Sequence, residues 1–335
     1  MNKKIVKSIV SITCGLGIAA SIPFMVSNCA CSQEKIKPLP EEVYDIDENN
    51  TLLGFKDEFL NDPTSPIYKN NFKKCNAMQI PASVTSVNQE VFYKNWISTI
   101  PSFIKKLTFT EESLCTSIGE KGFEYCASLT SIDLSNTNLS TISSDTFSYC
   151  SSLTLANLPS SLEFIGGNAF YKCKELKSID LSSCTNLSII NVYTFAECSS
   201  LTSASFPCSL ETIGDYAFQD CSKLTSVDFS KATNLSSIHE CAFENCSLLT
   251  SVSFHSSLNT IGHEVFRNCS KLISITWNAW TGSFNALGND AFSGVCQTKG
   301  TVRVTNPDDG HDSAALLAHL IQNGGLPDTW QVAKD

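Results

Sequence analysis

The chain has 335 residues, 42% hydrophobic and only 17% charged, with a formal net charge of −10. That length suits one large domain or two ordinary ones, and the apolar content excludes a disordered chain. The acidity excludes nucleic acid as a partner, because phosphate binding needs a basic patch.

Lys3, Lys4 and Lys7 open the chain, and an apolar run from Ile9 to Val26 follows, broken by Pro23. A basic start before a short apolar core is the layout of a signal peptide, here residues 1–28. The stretch Val26-Ser27-Asn28-Cys29 resembles a bacterial lipobox, whose pattern is an aliphatic residue, a small residue, Gly, Ala or Ser, then Cys. Asn28 is larger than that pattern has, a departure that cell-wall-less bacteria of the mycoplasma group tolerate. The resemblance implies that Cys29 is the lipid-attachment residue, its thiol carrying a diacylglycerol. Each buried CH₂ of such a chain contributes about 0.8 kcal/mol to membrane attachment. An uncleaved signal anchor and a plain secretory signal remain alternatives, since the run is nearly long enough to span a bilayer. Cys31 fits less well, because Asn28 would then hold the aliphatic position.

Residues 29–51 show no periodicity; they hold Pro38, Pro40 and an acidic cluster from Glu41 to Glu48. They read as a flexible tether, and anionic lipid would repel them. A solenoid is expected over 52–299, its first coils degenerate. Its mark is Phe-x-x-Cys, at Phe72/Cys75, Phe123/Cys126, Phe147/Cys150, Phe170/Cys173, Phe195/Cys198, Phe218/Cys221, Phe243/Cys246 and Phe266/Cys269. Phe92/Asn95 is a degenerate copy, and Phe292/Cys296 has one extra residue. Steps of 23 to 25 residues separate the cysteines from Cys126 onward. An apolar triplet follows each Cys, as in Leu129, Ile132 and Leu134 or Leu176, Ile179 and Leu181. This is the core pattern of a leucine-rich repeat. The last two triplet positions alternate, as in a strand with one buried face. A second apolar pair, such as Leu162/Ile165 or Leu210/Ile213, precedes the next Phe on what reads as an irregular return.

Long and short coils alternate. Long coils carry Asp133-Leu134-Ser135, Asp180-Leu181-Ser182 and Asp228-Phe229-Ser230; Ile-Gly after short coils places Gly166, Gly214 and Gly262. Glycine there predicts a positive φ. The fold expected is a leucine-rich-repeat solenoid of short parallel strands stacked one per coil, about 4.8 Å apart. Residues 300–335 read as the cap. They supply a strand from Gly300, then a helix opening at Asp312 or Ser313 and running through Gln322. Ala314, Leu316, Leu317, Leu320 and Ile321 form its apolar face, with Leu326 and Trp330 packing back.

Phe-x-x-Cys-x-x-Leu together with Ile213-Gly214-Asp215-Tyr216-Ala217-Phe218 resembles the BspA-type leucine-rich repeats of bacterial surface proteins. The resemblance covers residues 75 to 296. It implies a cell-surface protein that engages other proteins, including host or matrix proteins in adhesion, with no particular partner carried over.

Sixteen cysteines would mark a disulfide framework in a short secreted chain. Here the equivalent ones stack in a column and point the same way, which suits buried thiols acting as small hydrophobes. Cys184 and Cys208 fall at matching loop places on adjacent coils and are the candidate disulfide. No catalytic, cofactor or metal motif is present, so neither enzyme activity, a cofactor nor a small-molecule substrate is expected. His239-Glu240-Cys241 reads as a solvated turn rather than a Cys–His pair. Outward strand residues are mostly Ser and Asp. The return side offers Tyr149, Tyr171, Tyr193, Tyr216 and Arg267 as a rival binding face. The expectation is a protein held by lipid at the outer face of the cell membrane, binding a protein ligand; the alternative is an antigenic surface coat without a dedicated ligand.

Overall fold

The structure is a computed structural model, and it describes residues 44–55, 77–89, 104–280, 284–305 and 313–333. Cys29, the Phe72/Cys75 and Phe92 copies and Asp312 lie outside these residues. The chain winds into a parallel β-solenoid closed by one carboxy-terminal helix.

Each coil turns because apolar residues recur at fixed places and no single coil can bury them alone. The triplet forms one strand per coil, for example Ser178–Asp180 against Ser203–Ser205 with Ile179 beside Ala204. The second apolar pair, expected on an irregular return, forms a strand of its own. Ser117–Ile118, Thr141–Ile142, Phe164–Ile165, Ile189–Ile190 and Thr212–Ile213 pair in parallel and in register. These two-residue strands belong to an eleven-stranded sheet, while the triplet strands break into runs of four, two and three among the described residues, the last run extended by the cap strands Thr301–Thr305 and Gln331–Val332. The inward isoleucines of the long sheet are fully buried from Ile118 to Ile261.

The third side of each coil carries Phe-x-x-Cys. Here the backbone alternates between bonds to its own coil and bonds to the next. The N–H groups of Tyr193, Phe195 and Glu197 donate to the carbonyls of Asp215, Ala217 and Gln219. That geometry places two residues per coil in the left-handed region, such as Asn168 and Lys172 or Tyr193 and Glu197. The strain of a non-glycine residue there is about 1–2 kcal/mol, and the inter-coil bonds offset it.

Gly166, Gly214 and Gly262 do not adopt the positive φ expected of them; among the described glycines only Gly294 and Gly325 do. Close approach explains them instead. A Cβ on Gly166 would lie 2.4 Å from the Ser144 nitrogen of the preceding coil, far inside van der Waals contact.

The spacer read as running to residue 51 stops earlier. Tyr44–Ile46 pairs antiparallel with Thr51–Phe55. The connecting turn is held by Asp47, whose Oδ1 accepts the N–H groups of Asn49 and Thr51. Tyr44 is buried, and its hydroxyl donates to the Gln79 carbonyl. The acids that resembled a solvated tether include the turn of a hairpin.

At the other end the helix spans Ser313–Gly324, and Gly325 follows at φ 71 as its left-handed stop. Leu316 and Leu320 are buried, and Leu317 and Ile321 pack at the margin. Ala314, assigned to the apolar face, is exposed. Leu326 and Trp330 are buried, the Trp330 ring lying over Gly300 and its Nε1 donating to the Cys296 carbonyl.

Candidate functional site

Three faces and an interior column compete for the role. Inside, the phenylalanines of the repeat stack ring on ring from Phe123 to Phe292, with centroids 5.1 to 5.5 Å apart. Beside them each thiol donates to the Phe carbonyl one coil back: Cys150 to Phe123, Cys173 to Phe147, Cys198 to Phe170 and Cys221 to Phe195, all at 3.2 to 3.3 Å. The same Phe carbonyl accepts the N–H of its own Cys, as Phe147 does from Cys150. Both lone pairs of a buried carbonyl are thereby satisfied. The thiol is thus a donor as well as a small hydrophobe, a role the spacing alone did not reveal. Burial pushes the Cys126 thiol up to about 12 and holds those of Cys150, Cys173, Cys221 and Cys246 well above their ordinary value. Thiols kept protonated are poor nucleophiles.

The proposed Cys184–Cys208 bridge is absent; both are free thiols, the first buried and the second exposed. The pairing misjudged the turn by one residue. Leu187 N–H donates to the Cys184 carbonyl, and Leu210 N–H to the Pro207 carbonyl. Pro207, not Cys208, therefore stacks in the Cys184 column. Cys184 directs its thiol at the Pro159 carbonyl of the preceding coil. His239 and Cys241 also face different partners: His239 Nδ1 lies 3.8 Å from Asp215, and Cys241 Sγ lies 3.6 Å from Glu264. Burial first, then Glu244, Glu264 and Glu240, push the Cys241 thiol up to about 12. Among the described residues no group of His, Cys, Asp and Glu could hold a metal ion.

On the triplet face, Asp133 and Asp180 accept the hydroxyl and N–H of Ser135 and Ser182 in their own turns, and Asp228 accepts the N–H of Ser230. These carboxylates close turns. The long sheet offers a groove of about 510 Å³ lined largely by small polar residues such as Ser86, Asn88, Ser117 and Ser144. Phe164 stands at its end, exposed alongside Ile189 and Val192.

The Phe-x-x-Cys side carries the densest aromatic surface. Tyr125 stacks on Tyr149 at 4.5 Å; Tyr149 meets Tyr171 edge-on at 5.5 Å; Tyr171 meets Tyr193 at 6.2 Å; Tyr193 stacks on Tyr216 at 4.7 Å. The ladder crosses five coils. Its members come from three repeat positions: just before the Cys, just after the Phe, and two before the Phe. Tyr125, not among the return-side tyrosines expected from the sequence, precedes Cys126 as Tyr149 precedes Cys150, and that shared offset is the signal that marks it. Lys172 lies 5.2 Å over the Tyr149 ring and 5.0 Å over the Tyr171 ring, and pairs with Glu197 at 3.4 Å. Tyr171 donates its hydroxyl to Glu197 at 2.9 Å. Arg267, read as part of this face, is held by Glu264 at 2.8 Å and Glu244 at 3.9 Å.

A sequence model of the family described as BspA type leucine rich repeat region matches residues 65–189 and 188–306, in six copies. No curated protein matches the chain. Among solved structures, the leucine-rich repeat protein TpLRR of T. pallidum aligns over 70% of this chain and 91% of its own, at 20% identity and a TM-score of 0.45. A leucine-rich cell surface protein from Faecalibacterium prausnitzii covers 80% of this chain and 94% of its own, at 18% identity and a TM-score of 0.36. The pneumococcal vaccine antigen PcpA covers 78% and 80%, at 18% identity and a TM-score of 0.37.

Proposed function

The chain belongs to the BspA-type leucine-rich-repeat family, and on that premise we propose that it is a lipid-anchored protein of the outer cell surface that binds other proteins through its tyrosine ladder. The ladder carries the reading. Five tyrosines remain in ring contact across five coils although they occupy three different repeat positions. The core does not require them, because the phenylalanine and isoleucine columns already fill it. Tyrosine is also the residue best suited to tight protein contacts, having a large rigid area and a polar tip.

The anchor reading rests on the basic start, the apolar run and the lipobox-like Val26-Ser27-Asn28-Cys29. Adhesion to host or matrix protein is the proposed use, and neither a cofactor nor a small-molecule substrate is invoked. Two measurements test this. Purified protein is applied to a panel of extracellular matrix proteins at physiological salt, with wild type beside a Tyr193→Asn/Tyr216→Asn variant. Binding that drops in the variant supports the ladder. Binding absent throughout favours an antigenic coat without a dedicated ligand. Metabolic labelling with a fatty acid should mark the wild type and not Cys29→Ala; label that persists in the variant rejects Cys29.

A further inference from the structure

The ladder is not uniform in charge. At its Tyr149–Tyr171 part the chain supplies its own cation. Lys172 sits over both rings and against Glu197, and its hydrogen bond with Tyr171 raises its pKa further. This is a complete cation-on-tyrosine contact, two rings below an ammonium with a carboxylate beside it. The stacked Tyr193–Tyr216 pair repeats two of those components without the third. Residues 214–220 and 239–245 bring Asp215, Asp220, Glu240 and Glu244 to these coils and carry no lysine or arginine. The Tyr216 hydroxyl lies 3.5 Å from Glu240. Cys241 first, and then Glu240, push that hydroxyl up to about 12. The Cys241 thiol, itself raised to about 12, is neutral at physiological pH, so the negative potential at the ring edge comes from the Glu240 carboxylate. The nearest guanidinium, Arg267, is engaged by Glu264 and Glu244.

We propose that the Tyr193–Tyr216 end of the ladder docks a lysine- or arginine-rich segment of a protein partner, one cationic side chain taking beside these rings the place that Lys172 takes beside Tyr149 and Tyr171. The inference rests on the ladder being the docking face. The occupant follows from charge complementarity. The half-buried Tyr193–Tyr216 pair lies among Asp215, Asp220, Glu240 and Glu244, which with Arg267 beside Glu244 and His239 beside Asp215 still leave an excess of carboxylates that repels an acidic segment and rewards a cationic one. The triplet face gives no such site, because its aspartates are turned into their own turns. The chain's net charge of −10 adds attraction at long range.

The test uses the full-length protein in detergent and a fluorescein-labelled peptide of eight arginines, with eight glutamates as control, read by anisotropy across a salt series. Tyr193→Asn/Tyr216→Asn is the ladder variant, since Asn168 already holds the equivalent position at φ 56 and asparagine tolerates that conformation. It should weaken arginine-peptide binding about fivefold, and Tyr193→Phe/Tyr216→Phe should retain most of the affinity because the rings remain. Asp215→Asn/Glu240→Gln should weaken binding at least as much. Asp133→Asn/Asp180→Asn/Asp228→Asn, which removes one charge more but from the triplet face, should leave binding unchanged. Equal loss in that triple variant, no loss in the ladder variant, or no arginine-peptide binding at all overturns the proposal. If the matrix-protein panel depends on the ladder while the arginine peptide does not bind, the cationic partner fails and the docking face stands. If neither depends on it, both fail.

Discussion

The phenylalanine column from Phe123 to Phe292 and the tyrosine ladder from Tyr125 to Tyr216 climb the same coils, one inside and one outside. The inner rings hold a single repeat position, stack at 5.1 to 5.5 Å, and are almost completely buried. The outer rings pass through three positions, with separations from 4.5 to 6.2 Å and both stacked and edge-on geometry. The difference teaches what fixes register in a solenoid. Inside, a shift by one residue would point an aromatic ring at solvent and leave a cavity in the core. Outside, no such penalty acts, so contact among the tyrosines reflects the surface they form rather than the packing beneath.

The comparison breaks if inner and outer rings prove equally important to stability. Phe218→Ala should cost about 3–5 kcal/mol by chemical denaturation, from lost transfer energy and the cavity left in the stack. Tyr193→Asn on the adjoining coil should cost less than about 1 kcal/mol. A smaller effect comes from the spacing between coils. Gly166→Ala should cost about 1–3 kcal/mol, because its Cβ meets backbone of the preceding coil at 2.4 Å. Gly167→Ala should cost less, since its nearest neighbour at 3.1 Å is the Val192 methyl, which can move.

The thiols sharpen the same contrast through pH. Burial raises the folded-state pKa of Cys126 from 9.0 to about 12 and raises those of Cys150, Cys173 and Cys221 in the same direction. Between those values the unfolded chain has lost protons that the folded chain keeps, so stability is intact below about pH 9 and falls as pH rises beyond it. A denaturation midpoint flat from pH 9 to 11 would contradict the buried ladder. The smallest effect is on labelling. In the native protein Cys208 and Cys296 should react with a thiol reagent ahead of the other described cysteines, which are buried. Cys296 should keep reacting at lower pH than an ordinary thiol. A hydrogen bond from the Thr298 backbone, aided by Lys299, holds its pKa below the usual value.

Much of the interior was legible because it repeats. Phe, Cys, the triplet and the Leu/Ile pair each fall in one column, and the columns are buried where the period puts them. The helix was legible from its apolar spacing, but it runs two residues past the expected Gln322, and Gly325 rather than Gly324 is the left-handed stop. The candidate site was half legible. Four of its tyrosines stood out as residues on the return side, but their drift through three positions hid that they touch.

The sequence by itself determined the period, the alternation of long and short coils, the inward columns and the terminal helix, because a repeated burial requirement writes itself into residue spacing. Only the tertiary structure decided what depends on neighbouring coils. Gly166 is needed for the approach of Ser144 and not for its own φ. Cys184 stacks on the Pro207 position and so misses Cys208. The thiols hydrogen-bond one coil back, and Lys172 finds two tyrosines from two coils. Each is a contact between residues about one coil apart, where a one-residue difference in turn length changes the partner. A repeat period fixes which side of the coil a residue occupies; stacking decides what it meets there.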